Sequence, residues 1–298
     1  MIEESFLKKI IKSPEKVSRF KFDKVSEILK EAKEIFSNER LLLELNAKND
    51  EEIFVIGDIH GNLDSLKKIY NIIKEKNPKY VIFLGDIVDR GSYQIECLSF
   101  VLSLKILFPN KYYLLRGNHE TLQMNKYYGF YDDFDMRFGS DGDFTEIIQL
   151  YNVLPICTII NNSILCLHGG IPENNNILNE IKDLKHQELP YTPSGPIEEG
   201  IFQLLWNDPK EGLSGFMHSF RGGDIKFFGE EIFENFMEKY NLKYLIRAHE
   251  VFPMGYKWFF DHRLLSVFSS SDYRGAGSNY GAYARVKGEE IFAETIED

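Results

Sequence analysis

Six side chains able to hold a metal ion stand just past apolar runs. They are Asp58 and His60 in IFVIGDIH, Asp86 in YVIFLGD, Asn118 in KYYLLRGN, His168 in ILCLHGG and His249 in YLIRAHE. Oxygen and nitrogen donors of this intermediate softness suit Mn²⁺, Fe²⁺ or Zn²⁺ better than Ca²⁺, and no thiolate is among them. Six ligands exceed what one tetrahedral ion needs. The economical arrangement is a two-metal site in which one carboxylate bridges ions roughly 3.5–4 Å apart. Asp86, at the end of the middle strand, is the best bridge. Any one of these residues taken alone is an ordinary turn residue after a strand. Their joint occurrence, in order and on successive strand ends, selects the metal reading.

The surrounding pattern predicts the elements that position them. Val25, Ile28, Leu29, Ala32, Ile35 and Phe36 keep the three-and-four spacing of an amphipathic helix. A short strand then ends at Asp58. Asp64 caps a helix carrying Leu66, Ile69, Tyr70 and Ile73; a second strand starts at Tyr80, and a second helix covers roughly Gln94 to Leu107. KYYLLRGNHE supplies a third strand. A β-α-β-α-β order implies right-handed crossovers and a parallel core, with ligands bound at the carboxyl edge. The later runs SILCLHGG, YLIRAHE, LLSVFSSS and GAYARV suggest a second sheet packed on the first. Glycine beside the ligand candidates in GDIHG, GDIVDRG, GNHE and HGG lets backbone approach an ion or phosphate closely. The polar stretch from Glu173 to Gly200 reads as a loop, an excursion within one domain.

Composition excludes several classes. With 298 residues and 43% hydrophobic content the chain can bury a large core. No apolar run approaches the ~20 residues of a membrane helix, and the N-terminus lacks a signal-peptide pattern. A cytosolic location is the expectation, with no membrane partner. Cys97, Cys157 and Cys166 lie in apolar runs without CxxC spacing and read as reduced core residues. A net charge of −11 repels phosphate backbones, so nucleic acid is not an expected partner.

GDIHG, GDIVDRG and LLRGNHE resemble the three signatures of the metallophosphoesterases, specifically the phosphoprotein phosphatase family of serine/threonine phosphatases. The likeness continues through YGFYDD, LCLHGG, LLWNDP, RGGDIKFFG and RAHE, from about Val25 to Val286. It implies an α/β metallophosphoesterase fold, two mixed β-sheets packed as a sandwich and flanked by helices. Residues 1–24 would form a helical segment ahead of a single catalytic domain over 25–298. Carried over to this chain, one ion falls to Asp58, His60 and Asp86, and the other to Asp86, Asn118, His168 and His249. Mn²⁺ is the expected metal, with Fe or Zn as alternatives. Two dications lower the pKa of water toward ~7, giving a nucleophile for in-line attack on phosphorus. Arg90 and Arg221 would clamp the phosphoryl oxygens, since a guanidinium offers a planar fork of donors. Asn118, Tyr128 and Tyr273 would also adjoin the phosphate. His119 would protonate the departing alkoxide, with Asp89 orienting it. Asp208 would support the ligands from behind. Phosphorylated proteins are the implied substrates, with regulatory subunits as further partners.

The chain departs from the family pattern at SVFSSSDYRG, where the family reads Ser-Ala-Pro-Asn-Tyr-Cys. Ser270 and Ser271 replace Ala-Pro, removing a rigid ring from a loop beside the metal site. Asp272 takes the Asn position, Arg274 takes the Cys position, and Tyr273 is retained. Asn62 follows GDIHG where Gln is common. His186, His218 and His262 match no ligand position. Two other readings stand beside the phosphatase: a nucleotide-directed hydrolase of the diadenosine tetraphosphate type, and a non-catalytic adaptor keeping the fold. Retention of all six ligands and His119 argues against the adaptor.

Overall fold

The apolar runs that end in chemistry-bearing residues are buried on both faces, and their neighbours in sequence point into different cores. Phe54, Val81 and Leu114 face one apolar cluster, whereas Val55, Ile82 and Leu115 face another. That alternation fits parallel strands covered on both sides, which read as continuous hydrophobic runs rather than half-polar ones. The computed structural model describes residues 2–189 and 193–296.

One sheet has five strands in the order Glu290–Thr295, Ala282–Lys287, Glu52–Ile56, Tyr80–Phe83 and Tyr112–Leu114. The last three are parallel, as the β-α-β-α-β order requires, and Ile56, Phe83 and Leu114 lie in one register row. Asp58, Asp86 and Asn118 therefore emerge side by side at one edge. The other sheet has six strands in the order Leu42–Leu45, Cys157–Ile160, Ile164–Leu167, Tyr244–Arg247, Leu264–Val267 and Tyr256–Phe259. Here Cys166, Ile246 and Leu265 share a row, so His168 and His249 leave the same kind of edge.

The inner faces meet through Val55, Ile82, Leu84, Cys166, Ile246 and Val267. Helices cover both outer sides. Leu63–Lys76 and Gln94–Leu107 lie on the five-stranded sheet, and Phe22–Phe36 packs against Gln94–Leu107; Pro196–Trp206 and Glu230–Lys239 lie on the six-stranded one. This is the metallophosphoesterase sandwich expected from the motifs. The leading helix Glu4–Lys12 and the 3-10 turn Pro14–Arg19 bury Leu7, Ile10 and Val17 in the same core as Gln94–Leu107. A third, small sheet of Asp208–Pro209, Lys226–Phe228 and Phe216–His218 carries Asp208.

The structure corrects three local readings and adds one strand. The GAYARV strand joins the first sheet, pairing antiparallel with Glu52–Ile56. A strand at Leu42–Leu45 edges the second sheet. The stretch 173–200 contains the helix Ile177–Ile181 and the start of Pro196–Trp206, with residues 190–192 outside those described. The helix after His60 begins at Leu63, capped by Asn62 rather than Asp64: Asn62 Oδ1 accepts the Ser65 N–H at 3.0 Å.

Candidate metal centre

All six ligand candidates are buried and meet at the junction of the two sheets. Bringing them there requires sharp turns off the strands. His60, Asp86, Asp89, Arg90 and His249 all have φ between 47° and 73°, a left-handed conformation that costs a side-chain-bearing residue about 1–2 kcal/mol. Two glycines make the closest approach possible. A Cβ on Gly85 would lie 2.2 Å from Gly117 N, and one on Gly117 would lie 2.2 Å from Asp86 Oδ1. At these positions glycine serves the approach of two loops to each other.

The donor set is short of protons. His60 Nδ1 lies 2.9 Å from the Val88 carbonyl and His168 Nδ1 lies 3.1 Å from that of Leu84. Each Nδ1 must therefore carry the proton, leaving Nε2 of the neutral ring with a lone pair. His60 Nε2 then faces Asp58 Oδ2 and Asp86 Oδ2, both at 3.6 Å. His168 Nε2 faces Asn118 Oδ1 at 2.8 Å, His249 Nδ1 at 3.3 Å and Asp86 Oδ2 at 3.4 Å. Acceptors pointing at acceptors in a dry site repel unless a cation or a proton stands between them. Asp86 Oδ2 belongs to both groups, as a bridging carboxylate would.

The electrostatics mark the same place for positive charge. Burial opposes charge on His60, but the Asp58 and Asp86 carboxylates outweigh it and push its pKa up to about 9, so a proton on Nε2 takes that place wherever a cation does not. His249 goes the other way: burial, then the Arg221 charge, holds it well below the usual imidazole range, in the neutral form that a metal ligand needs. Its Nε2 is buried without a hydrogen-bond partner among the described residues. These residues fit divalent cations. Donor atoms of His60, Asp86 and His119 form one cluster, and those of Asp86, His168 and His249 form a second.

His119 nevertheless differs from the ligands, because its Nδ1 lies 2.7 Å from Asp89 Oδ2. Asp89 is itself fixed by the Phe130 N–H and Asn125 Nδ2, both at 3.0 Å. His119 Nε2 stays 3.9 Å from Asp86 Oδ2. A cleft of about 510 Å³ opens over the site, lined by Arg90, Tyr128, Arg221 and Tyr273 as well as five of the six ligand candidates, His168 lying beneath its surface. The Arg90 guanidinium lies 3.6 Å from the Tyr128 ring centre, and Tyr273 stacks on His60 with ring centres 5.2 Å apart. Burial pushes the Tyr273 hydroxyl up to about 12, so it is a neutral donor. Asp208 accepts Arg221 Nε at 2.8 Å and approaches His249 Nε2 only to 4.0 Å. It is thus foremost an anchor for arginine.

Sequence reasoning missed several supports. Glu120 accepts the backbone N–H groups of Asp86, Ile87 and Gly117 at 2.8, 3.1 and 2.7 Å, pinning the bridging loop. Arg247 is fully buried and donates to Asp208, Glu250 and the Gly169 and Asn207 carbonyls. Both residues sit inside ligand motifs, RGNHE and RAHE, and that was the available signal: a charge beside a buried ligand has no route to water. Asn125 had no such signal.

Residues 52–253 match the calcineurin-like phosphoesterase family. The chain is 35% identical to the catalytic subunit of serine/threonine-protein phosphatase 4 of Saccharomyces cerevisiae, over 84% of this chain and 79% of that protein. It is 31% identical to the serine/threonine-protein phosphatase rdgC of Drosophila melanogaster and 35% identical to the rat serine/threonine-protein phosphatase with EF-hands 1. In both cases 88% of the chain is matched, and the chain spans only 41% and 46% of those longer proteins. Among solved structures, a serine/threonine phosphatase from Saccharomyces cerevisiae, described as similar to human PP5, superposes with a TM-score of 0.82 at 30% identity. That superposition covers 93% of this chain and 90% of the other.

Proposed function

The chain belongs to the calcineurin-like phosphoesterases, within their serine/threonine protein phosphatase family, and we propose that it hydrolyses phosphoserine and phosphothreonine monoesters in proteins. The observation that carries this reading is the convergence of carboxylate and imidazole groups on Asp86 beside the His119–Asp89 pair. The first is built for cations and the second for delivering a proton. Asp58, His60 and Asp86 would hold one ion; Asp86, Asn118, His168 and His249 would hold the other, with Mn²⁺ the best suited by donor type. When bound, the cations supply the charge that activates water at neutral pH and offsets the phosphate's own negative charge.

The chain's residues do the remainder. Arg90 and Arg221 both line the cleft and present forked donors that fit phosphoryl oxygens. Arg90 is steadied by the Tyr128 ring and Arg221 by Asp208. Tyr273 adds a neutral hydroxyl donor beside His60. In the imidazolium form, His119 keeps Nδ1–H on Asp89 and gives the Nε2 proton to the departing serine or threonine oxygen. Regulatory subunits are a further proposal, consistent with the family.

Elemental analysis run beside a phosphothreonine-peptide assay tests this. Two divalent ions per chain and Mn²⁺-supported phosphate release are expected, with both lost in Asp86→Asn. A metal-free, inactive wild type after incubation with Mn²⁺, Fe²⁺ and Zn²⁺ would overturn the reading.

A further inference from the structure

The geometry points to Asn62 and Ser65 as positioning residues that latch the loop carrying Tyr273 over the phosphate site. Asn62 uses its whole amide. Its Oδ1 caps the helix Leu63–Lys76 through the Ser65 N–H at 3.0 Å. Its Nδ2 donates to Ser270 Oγ at 3.1 Å and to the Ser271 carbonyl at 2.9 Å. One residue therefore joins a helix terminus to a loop more than 200 positions away in sequence. Ser65 doubles the connection, since its Oγ accepts the Ser271 N–H at 3.1 Å and lies 2.9 Å from Ser271 Oγ. Ser65 and Ser270 are buried and Asn62 and Ser271 half-buried, so these bonds are partly shielded from water.

The loop has little slack between the latch and Tyr273. Ser269 Oγ accepts the Gly57 N–H at 2.8 Å and donates to the Ala282 carbonyl at 2.6 Å. Asn279 donates to the Ser270 carbonyl at 2.8 Å and accepts the Tyr273 N–H at 3.0 Å. Asp272 holds φ 55°, turning the chain so that Tyr273 stacks on His60 and meets Phe268 edge-on, ring centres 4.9 Å apart. A shift at Ser270 or Ser271 is thus passed directly to the Tyr273 ring. Two departures from the family pattern explain one another. Where the Ala-Pro pair would stiffen the loop by a ring, this chain stiffens it by hydrogen bonds, and Asn62 supplies them.

The latch rests on the phosphatase reading for its kinetic consequence and on geometry alone for its structural one, so the test has two arms. Asn62→Asp keeps a good helix cap and removes the Nδ2 donor. Hydrogen exchange over residues 269–279 should accelerate in Asn62→Asp and in Ser65→Ala, with metal content and the melting transition near wild type. That arm stands even if the protein hydrolyses no phosphoester. In the kinetic arm, Asn62→Asp should raise KM for a phosphothreonine peptide roughly tenfold, with kcat changed less. In a Tyr273→Ala background the same substitution should add almost nothing, because the two act through one contact. Unchanged exchange in both variants, or effects of Asn62→Asp and Tyr273→Ala that multiply independently, would overturn the proposal.

Discussion

Asp208 Oδ2 accepts Arg221 Nε at 2.8 Å, while its Oδ1 accepts Nη2 of the buried Arg247 at 2.8 Å. Arg221 is otherwise a surface residue after an exposed Phe220, so this carboxylate fixes where its guanidinium stands. Asp208→Asn keeps the shape and gives up the charge. A charge-assisted hydrogen bond contributes about 1.5–3 kcal/mol, so kcat/KM should fall roughly 10–100-fold. The loss should lie mainly in KM, measured by initial rates on a phosphopeptide, if Arg221 binds phosphate in the ground state.

His119→Ala should reduce turnover of a phosphothreonine peptide by about 10²–10⁴, the usual range for a general acid. The leaving group sharpens this. An aryl phosphate needs little protonation as it departs, so His119→Ala should cost that substrate much less. Asp89→Asn should follow the same pattern more weakly. Comparable losses on both esters would remove His119 from the proton-donating role.

Chelation should abolish activity and also lower thermal stability. The lone pairs around His168 Nε2 and the carboxylates of Asp58 and Asp86 are left facing one another without cations. Metal that binds only the folded state stabilises it by mass action. A melting curve should rise with added Mn²⁺ in the wild type and not in Asp86→Asn.

Lys105 is almost wholly buried against Glu39, far from the metal edge, and burial drives the two pKa values toward each other. Glu39→Ala leaves the buried ammonium without a counter-charge, held only by the Pro109 carbonyl and the Tyr113 and Phe36 rings, and should cost about 3 kcal/mol in urea unfolding. Glu39→Met with Lys105→Leu should recover most of that loss. A single substitution as harmless as the double one would show that the pair is solvated.

Much of the centre was legible because its residues carry their own signal. A strand that ends in Asp, His or Asn beside glycine announces a binding edge, and repetition makes Asp58, Asp86, Asn118 and His168 readable, with His249 following them at a further strand end. The parallel pairing of the strands ending at Ile56, Phe83 and Leu114 followed from their order. What escaped was whatever depended on long-range partners. The placement of Ala282–Lys287 in the first sheet is fixed by register with Glu52–Ile56 and not by its own composition. Asn62 carries no local signal, because its amide reaches Ser270 and Ser271 more than 200 positions away. Asn125 likewise gains meaning only where the chain returns to Asp89 and Tyr151.

The most direct measurement is the ratio of kcat/KM for a phosphothreonine peptide to that for diadenosine tetraphosphate, using one Mn²⁺-loaded preparation. The arginine-lined cleft and the family assignment predict a ratio far above one, lost in His119→Ala. A ratio below one would contradict the account and leave a nucleotide-directed hydrolase in its place.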